Sequence, residues 1–378
     1  MISDWYWLIC LFAIGCCIGS FLNVVIYRLP RDKSIISPPS ACPACDKPIA
    51  FYDNIPLFSW LILRAKCRKC KSPISSRYFF IELITGLLFA ALYFLYFMVQ
   101  VRSGIGTFAS GGWFIYIIHI ILLTSLLAAS AIDFELWVIP LSICWFATAV
   151  GILGSALAGW VIAPAQIIAY DFFPVASAMT AILTVGAVIG LVISILFLFF
   201  GWIKRSYELQ DSSEGGDEPG KINHRLEMLR EVIFLAPIII GSYLAFYIYK
   251  SCPSFADWWI DFSQVPVVSG LLGSIFGYFV GCATVWLTRI LGTLAFGKEA
   301  MGLGDVHLMG AAGAVIGPVF VIVAFFLAPF SGLIWACFQM FFKKIRQIPY
   351  GPFLSLGLFA VMIFHNEIKN YLSFILFH

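Results

Sequence analysis

Charge is what this chain has least of. Asp, Glu, Lys and Arg make up 11% of its 378 residues, well under the roughly 25% of an ordinary soluble domain. With 61% hydrophobic residues and a mean hydropathy of +0.96, a water-soluble globule is excluded. The net charge of +3 decides nothing, because membrane orientation follows where Lys and Arg sit rather than their total. No Gly-rich loop of the usual nucleotide-binding kind is present. A basic stretch before the first apolar segment is also missing: Asp4 precedes it, and Arg28, Arg31 and Lys33 follow it. That is the reverse of a cleavable signal peptide and predicts an anchor with its N-terminus outside. Ala13-Ile14-Gly15-Cys16 is a faint lipoprotein-type box that lacks the basic region such a signal needs.

What is present is a succession of apolar runs of about 20 residues, the length that crosses a bilayer. After the first, they lie near 79–100, 113–132, 141–163, 176–202, 231–250, 266–288, 319–342 and 350–365, with a short helix after Asp305 that stops near Gly317-Pro318. The expected fold is an all-α polytopic membrane protein of about 8–10 transmembrane helices. Residues 1–27 form a first anchor, 28–78 a small polar domain between the first two helices, and 79–378 a polytopic domain with an inserted mobile loop near 203–230. Residues 28–78 carry ten Lys/Arg against Asp32, Asp46 and Asp53, a net +7 that assigns them to the cytoplasm. Counting alternations from there also brings Asp133, Arg289, Lys298, Asp305, Lys343, Lys344 and Arg346 to the inner side. Glycines recur at four-residue spacing in Gly15/Gly19, Gly186/Gly190 and Gly273/Gly277/Gly281. Close helix packing and the plain abundance of glycine in membrane helices both account for them. No other internal repeat is evident.

Inside the basic region stand Cys42-Pro43-Ala44-Cys45 and Cys67-Arg68-Lys69-Cys70, two CxxC knuckles with 21 residues between them. Four thiolates at this spacing can close a tetrahedron around Zn²⁺. Two disulfides are the alternative, and a reducing cytoplasm disfavours them. A four-cysteine site leaves no open position, so the metal is expected to be structural. The remaining cysteines lie in or beside apolar runs as small hydrophobes.

Two acids stand where acids are costly. Asp305 follows Gly302-Leu303-Gly304 at the mouth of a run of small residues, and Asp133 ends an apolar run just before Phe134-Glu135-Leu136-Trp137. A carboxylate near hydrocarbon loses hydration unless it is paired, protonated or wet, so each is a candidate site. The glycines are expected to let the backbone turn tightly and another chain approach. Helix capping by Asp305 and an interfacial carboxyl at Asp133 are the bland alternatives. Glu135 is the nearest rival acid, more simply a solvated or supporting residue. His307 can hold the Asp305 charge or simply be polar at the surface. Glu82 is expected to pair with Arg77 or another nearby base.

The chain resembles the type IV prepilin peptidases, membrane aspartyl proteases of the GxGD class. The matching stretches run in the family's order: Gly19-Ser20-Phe21-Leu22-Asn23, the first CxxC, Asn54-Ile55-Pro56-Leu57-Phe58, the second CxxC, Arg77-Tyr78 with Glu82, the two aspartate motifs, and Pro349-Tyr350-Gly351-Pro352-Phe353-Leu354. The resemblance implies that Asp133 and Asp305 are a catalytic dyad, supported by Gly302, Gly304, His307 and Glu135. It implies removal of the basic leader from prepilins or pseudopilins at the cytoplasmic face of a bacterial inner membrane, then N-methylation of the new N-terminus from S-adenosylmethionine. The partners it implies are those substrates and the lipid bilayer. Nucleic acid is not expected, since the aromatic stacking pattern is missing. The sequence departs from the family at Leu141, where an acid is usual, at His307 for lysine, at Phe79 for proline, and in an interval of 172 residues between the aspartates. Competing expectations are a presenilin-like intramembrane protease, a proton-coupled transporter in which the acids carry protons, and a silent assembly scaffold.

Overall fold

The computed structural model describes residues 4–204, 224–342 and 349–377. Among these no strand forms; helices account for nearly all regular structure, with isolated bridges only at Ala41–Pro48 and Lys66–Pro73. In chain order the helices are α1 (Asp4–Arg28), α2 (Phe58–Ile62), α3 (Ser76–Tyr93), α4 (Gly112–Leu136), α5 (Leu141–Val161), α6 (Pro164–Tyr170) and α7 (Ala178–Phe199). There follow α8 (His224–Ser251), α9 (Pro253–Ser263), α10 (Pro266–Phe296), α11 (Leu303–Ile316), α12 (Pro318–Phe342), α13 (Gly351–Ile363) and α14 (His365–Phe377). Eight of them are long and apolar enough to cross a membrane, and a ninth span arises if α13 and α14 count as one. The chain is therefore an all-α polytopic membrane protein, as its hydropathy predicts. The apolar run near 350–365 forms α13, only 13 residues long, and the chain bends by 81° where that run ends and α14 begins. The loop expected over 203–230 ends earlier than the composition suggests, because α8 already starts at His224; residues 205–223 of that loop lie outside the described residues.

The chain divides into two compact units, residues 1–143 with 327–378, and residues 144–326. In the first unit α1 lies along α3 at glycine-to-backbone distance. A Cβ on Gly19 would come 2.7 Å from Glu82 Cα, and one on Gly15 would come 2.9 Å from Gly86 Cα. The buried Asn23 adds a polar tie, its Nδ2 donating to the Tyr78 carbonyl at 3.0 Å. In the same unit α4 is the most enclosed long helix, with its Asp133 end beside the start of α13.

In the second unit the close-packing reading holds for Gly186, Gly190, Gly277 and Gly281, while Gly273 lies against the non-helical backbone of Pro174 and Ala176. Gly186 and Gly190 on α7 lie against the backbone of α8 at Gly241 and Pro237, and Gly277 and Gly281 on α10 lie against α11 at Gly313 and Met309. Small residues let the backbones approach until dispersion does the packing. Ser274 Oγ donates to the Ala314 carbonyl at 2.6 Å along the same seam. The helix α11 is buried almost from end to end, and at its Gly310 and Gly313 an added Cβ would collide with α10, at Cys282 and Gly277.

Candidate functional site

The tetracysteine region is a repeat that the sequence reading overlooked. Cys42–Ile49 and Cys67–Ile74 share the pattern C-x-x-C-x-x-P-I, and the backbone repeats with it. The Cys42 N–H donates to Lys47 O at 3.0 Å and Asp46 N–H to Cys42 O at 2.8 Å; Cys67 N–H donates to Ser72 O at 2.8 Å and Lys71 N–H to Cys67 O at 3.0 Å. Asp46 and Lys71 occupy the same left-handed position, at φ 51° and 61°. Each knuckle thus turns back on itself and presents its two sulfurs to the other. All four Sγ atoms lie within 4.8 Å of one another, with Cys42 and Cys70 at 3.7 Å. Zn–S bonds of about 2.3 Å in a tetrahedron set an edge of about 3.8 Å, so the donor set fits zinc. Every cysteine is a free thiol. Backbone N–H groups at Cys70 and Lys69 hold the Cys67 thiol down at about 6. At Cys70 the Ser72 N–H pulls the same way, but desolvation and the neighbouring thiols outweigh it and push the group up to about 11.

Around the knuckles, Arg68 grips Asp53 through Nε at 2.9 Å and Nη2 at 2.6 Å, and this hydrogen bonding holds the Asp53 carboxyl below its ordinary value. Glu82 does not pair with Arg77. Its carboxylate accepts the Leu57 backbone N–H at 2.8 Å, where Leu57 stands in a left-handed conformation at φ 63°. Arg77 instead meets Glu135 across the sequence, Nη1 to Oε2 at 2.6 Å. Glu135 is therefore a partly exposed ion-pair partner linking the start of α3 to the end of α4.

The two candidate aspartates lie in different compact units, Asp133 in the first and Asp305 in the second. Asp133, 7% exposed, sits in the last turn of α4 and its Oδ2 accepts the Gly351 N–H at 3.0 Å. Its own carbonyl is capped by Trp137 N–H at 3.0 Å. Gly351 belongs to the Pro-Tyr-Gly-Pro-Phe-Leu element, and a Cβ there would come 2.8 Å from Asp133 Oδ2. That approach explains a glycine at this position.

Asp305, 8% exposed, stands in the first turn of α11, and its Oδ2 accepts the Gly302 N–H at 3.2 Å. The glycines of Gly302-Leu303-Gly304 do not make a left-handed turn. Gly302 is extended at φ −76°, and the positive φ falls earlier, at Gly297, which closes α10 at φ 66°. His307 Nδ1 shares a 2.8 Å hydrogen bond with Tyr278 Oη, and its ring lies 5.2 Å from that of Trp145. It is anchored to α10 by this bond.

One group of residues escaped the sequence reading, which treated Arg289 only as an inner-side flanking charge. Arg289 is fully buried in α10. Its Nη2 lies 3.0 Å from Glu231 Oε1 of α8 and its Nη1 lies 2.6 Å from Glu299 Oε1; Nη1 also donates to the Met301 carbonyl. Trp286 Nε1 donates to Glu231 Oε2 at 2.7 Å. A charged residue inside an apolar run was the available signal, since such residues are expensive unless partnered.

Residues 13–96 match the model of the bacterial Peptidase A24 N-terminal domain, and residues 230–337 match that of the Type IV leader peptidase family. Among similar proteins, one from Myxococcus xanthus (strain DK1622) is 47% identical over 133 residues, 35% of this chain and 35% of its own length. One from Aeromonas hydrophila is 34% identical over 185 residues, 42% of this chain and 58% of its own. One from Aeromonas salmonicida (strain A449) is 23% identical over 401 residues, 98% of this chain and 96% of its own. All three bear the name prepilin leader peptidase/N-methyltransferase. No solved structure matches. One matched model takes in both cysteine knuckles and the other takes in Asp305, and together they place this chain in the type IV leader peptidase family.

Proposed function

We propose that the protein removes the leader peptide from type IV prepilins or type II secretion pseudopilins at the cytoplasmic face of a bacterial inner membrane, with Asp133 and Asp305 as the catalytic pair. The observation that carries this reading is that both acids are nearly buried in a charge-poor chain, yet each meets a backbone N–H from a glycine of a family-like motif, Gly351 and Gly302. One carboxylate takes a proton from water as its oxygen attacks the scissile carbonyl, while the other, protonated, donates to the carbonyl oxygen. When the tetrahedral intermediate collapses, the first group returns its proton to the departing amine and the second recovers its own. Asp305 in a first helical turn favours the ionised form, and Asp133 in a last turn disfavours it. Asp305 is accordingly the base and Asp133 the acid. The order in which the two carboxyls ionise, followed by site-resolved titration, tests this assignment, and Asp133 ionising first reverses it.

Zinc, held by Cys42, Cys45, Cys67 and Cys70, supplies the module with a cross-link in place of a hydrophobic core. The basic residues of 28–78 lie against anionic headgroups. N-methylation of the new N-terminus from S-adenosylmethionine completes the reading, on the strength of the relatives' names; no residue is assigned to it. The test is intact-mass analysis of a prepilin incubated with the purified protein and with Asp133→Asn and Asp305→Asn. A leader mass lost with wild type and with neither variant is expected, and addition of S-adenosylmethionine should add a methyl mass. No cleavage of any prepilin by folded, zinc-loaded protein refutes the reading and favours a transporter or scaffold.

A further inference from the structure

We infer that Arg289 is a positioning residue for Asp305, acting through a single peptide group, the one joining Met301 to Gly302. This rests on the reading of Asp305 as a catalytic residue. The two ends of that peptide do different things. Its carbonyl oxygen, on Met301, accepts from Arg289 Nη1; its N–H, on Gly302, donates to Asp305 Oδ2 at 3.2 Å. A cation on the carbonyl fixes the plane of the peptide and draws electron density toward the oxygen, which makes the N–H at the other end a stronger donor. The carboxylate of Asp305 is thereby oriented and favoured in its ionised form.

The guanidinium is itself held on its other edge. Its Nε and Nη2 meet Glu231 of α8 at 3.2 and 3.0 Å, and Trp286 Nε1 fixes that carboxylate at 2.7 Å. Nη1 is left facing Glu299 and Met301, the segment that leads into α11. Arginine suits this place because its planar fork serves three partners at once in a fixed geometry, where a lysine would serve them singly. Arg289 is fully buried and Glu231 is 3% exposed, so solvent does not compete for the contacts between them, whereas the Glu299 side chain on the other edge is 44% exposed. Other charged or titratable groups near Asp305 include Glu299 on the preceding segment, Cys144 on α5, His307 on α11 with its partner Tyr278 on α10, and, on the reading of a catalytic pair, Asp133.

The experiment has two independent readouts. The first is prepilin cleavage as a function of pH for wild type, Arg289→Lys, Arg289→Gln and the double variant Arg289→Gln/Glu231→Gln, which removes both buried charges and so avoids a folding failure caused by an orphaned carboxylate. The second needs no substrate: the Asp305 carboxyl band, isolated as the infrared difference against Asp305→Asn, is titrated in the wild-type and Arg289 backgrounds. Expected are a loss of about 10- to 100-fold in kcat with KM within about twofold, partial recovery in Arg289→Lys, and an Asp305 protonation midpoint moved upward by about half a pH unit in both Gln variants. An unmoved midpoint in both Gln variants overturns the inference, as does a kcat loss no larger than the fraction unfolded, with Lys no better than Gln. Should wild type cleave nothing, the peptidase reading fails, and the infrared midpoint alone decides whether Arg289 governs Asp305.

Discussion

Replacing Gly277 by alanine perturbs the second unit at the seam that carries Asp305. An added Cβ at Gly277 would fall inside the van der Waals envelope of the Gly313 carbonyl oxygen, and the reverse holds at Gly313. To restore ordinary contact, α10 and α11 must part by about 1 Å. Overpacking of this kind costs about 1–3 kcal/mol, offset by up to about 1 kcal/mol from the better helix propensity of alanine. The kinetic effect should be larger than the thermal one. Asp305 rides on α11, and a misplacement of about 1 Å at a catalytic group can cost about 100-fold in rate. Gly332→Ala serves as the control, because its Cβ would meet Phe353 at 3.6 Å, an ordinary contact. Cleavage kinetics and detergent melting curves are measured side by side. Gly277→Ala should lose cleavage by tens-fold with a modest fall in melting temperature, while Gly332→Ala stays within about twofold. If Gly277→Ala cleaves as well as the control, the α10–α11 seam does not set the position of Asp305.

Cys45→Ser should lower bound zinc from about one per chain toward none and expose the 28–78 region to proteolysis, since a three-thiolate site loses the closed tetrahedron; metal analysis and limited digestion read both, and full zinc occupancy in the variant would refute a four-cysteine site. Glu135→Gln should leave cleavage within about tenfold, because its ion pair with Arg77 is partly exposed and such pairs are weak, whereas Asp133→Asn abolishes it. The opposite ranking would make Glu135 the acid. Asp53 carries a lowered carboxyl value, so its pair with Arg68 supports the module above about pH 4 and is lost as pH falls through that lowered value. Asp53→Asn should therefore flatten the acid limb of module unfolding, followed by release of zinc against pH, and an unchanged limb would discount the pair.

How much was legible in the sequence follows from the range of the interactions. The spans were readable because each is a local property: about 20 apolar residues declare a helix in a bilayer whatever they pack against. The four cysteines were readable because metal geometry restricts spacing. The repeat C-x-x-C-x-x-P-I was equally present in the letters at Cys42 and Cys67 but eluded a reading that looked only for long periods. Glu82 was misassigned because a nearby arginine seemed its natural partner, whereas a strained backbone at Leu57, 25 residues away, supplies the N–H it accepts.

Arg289 and Glu231 show the limit most clearly. They are 58 residues apart on two helices, and in the sequence each is one isolated charge in or beside an apolar run, with nothing to say what it meets. Only the approach of α8 to α10 turns them into a pair, and only the turn at Gly297 brings Met301 back to the guanidinium. A charge buried this completely must be matched on every side or it would not survive burial. The acceptors that match it include the carbonyl next to the Gly302 N–H. The Gly302-Leu303-Gly304-Asp305 motif therefore carries only half of what positions its acid, and the other half comes from helices that no local motif could mark.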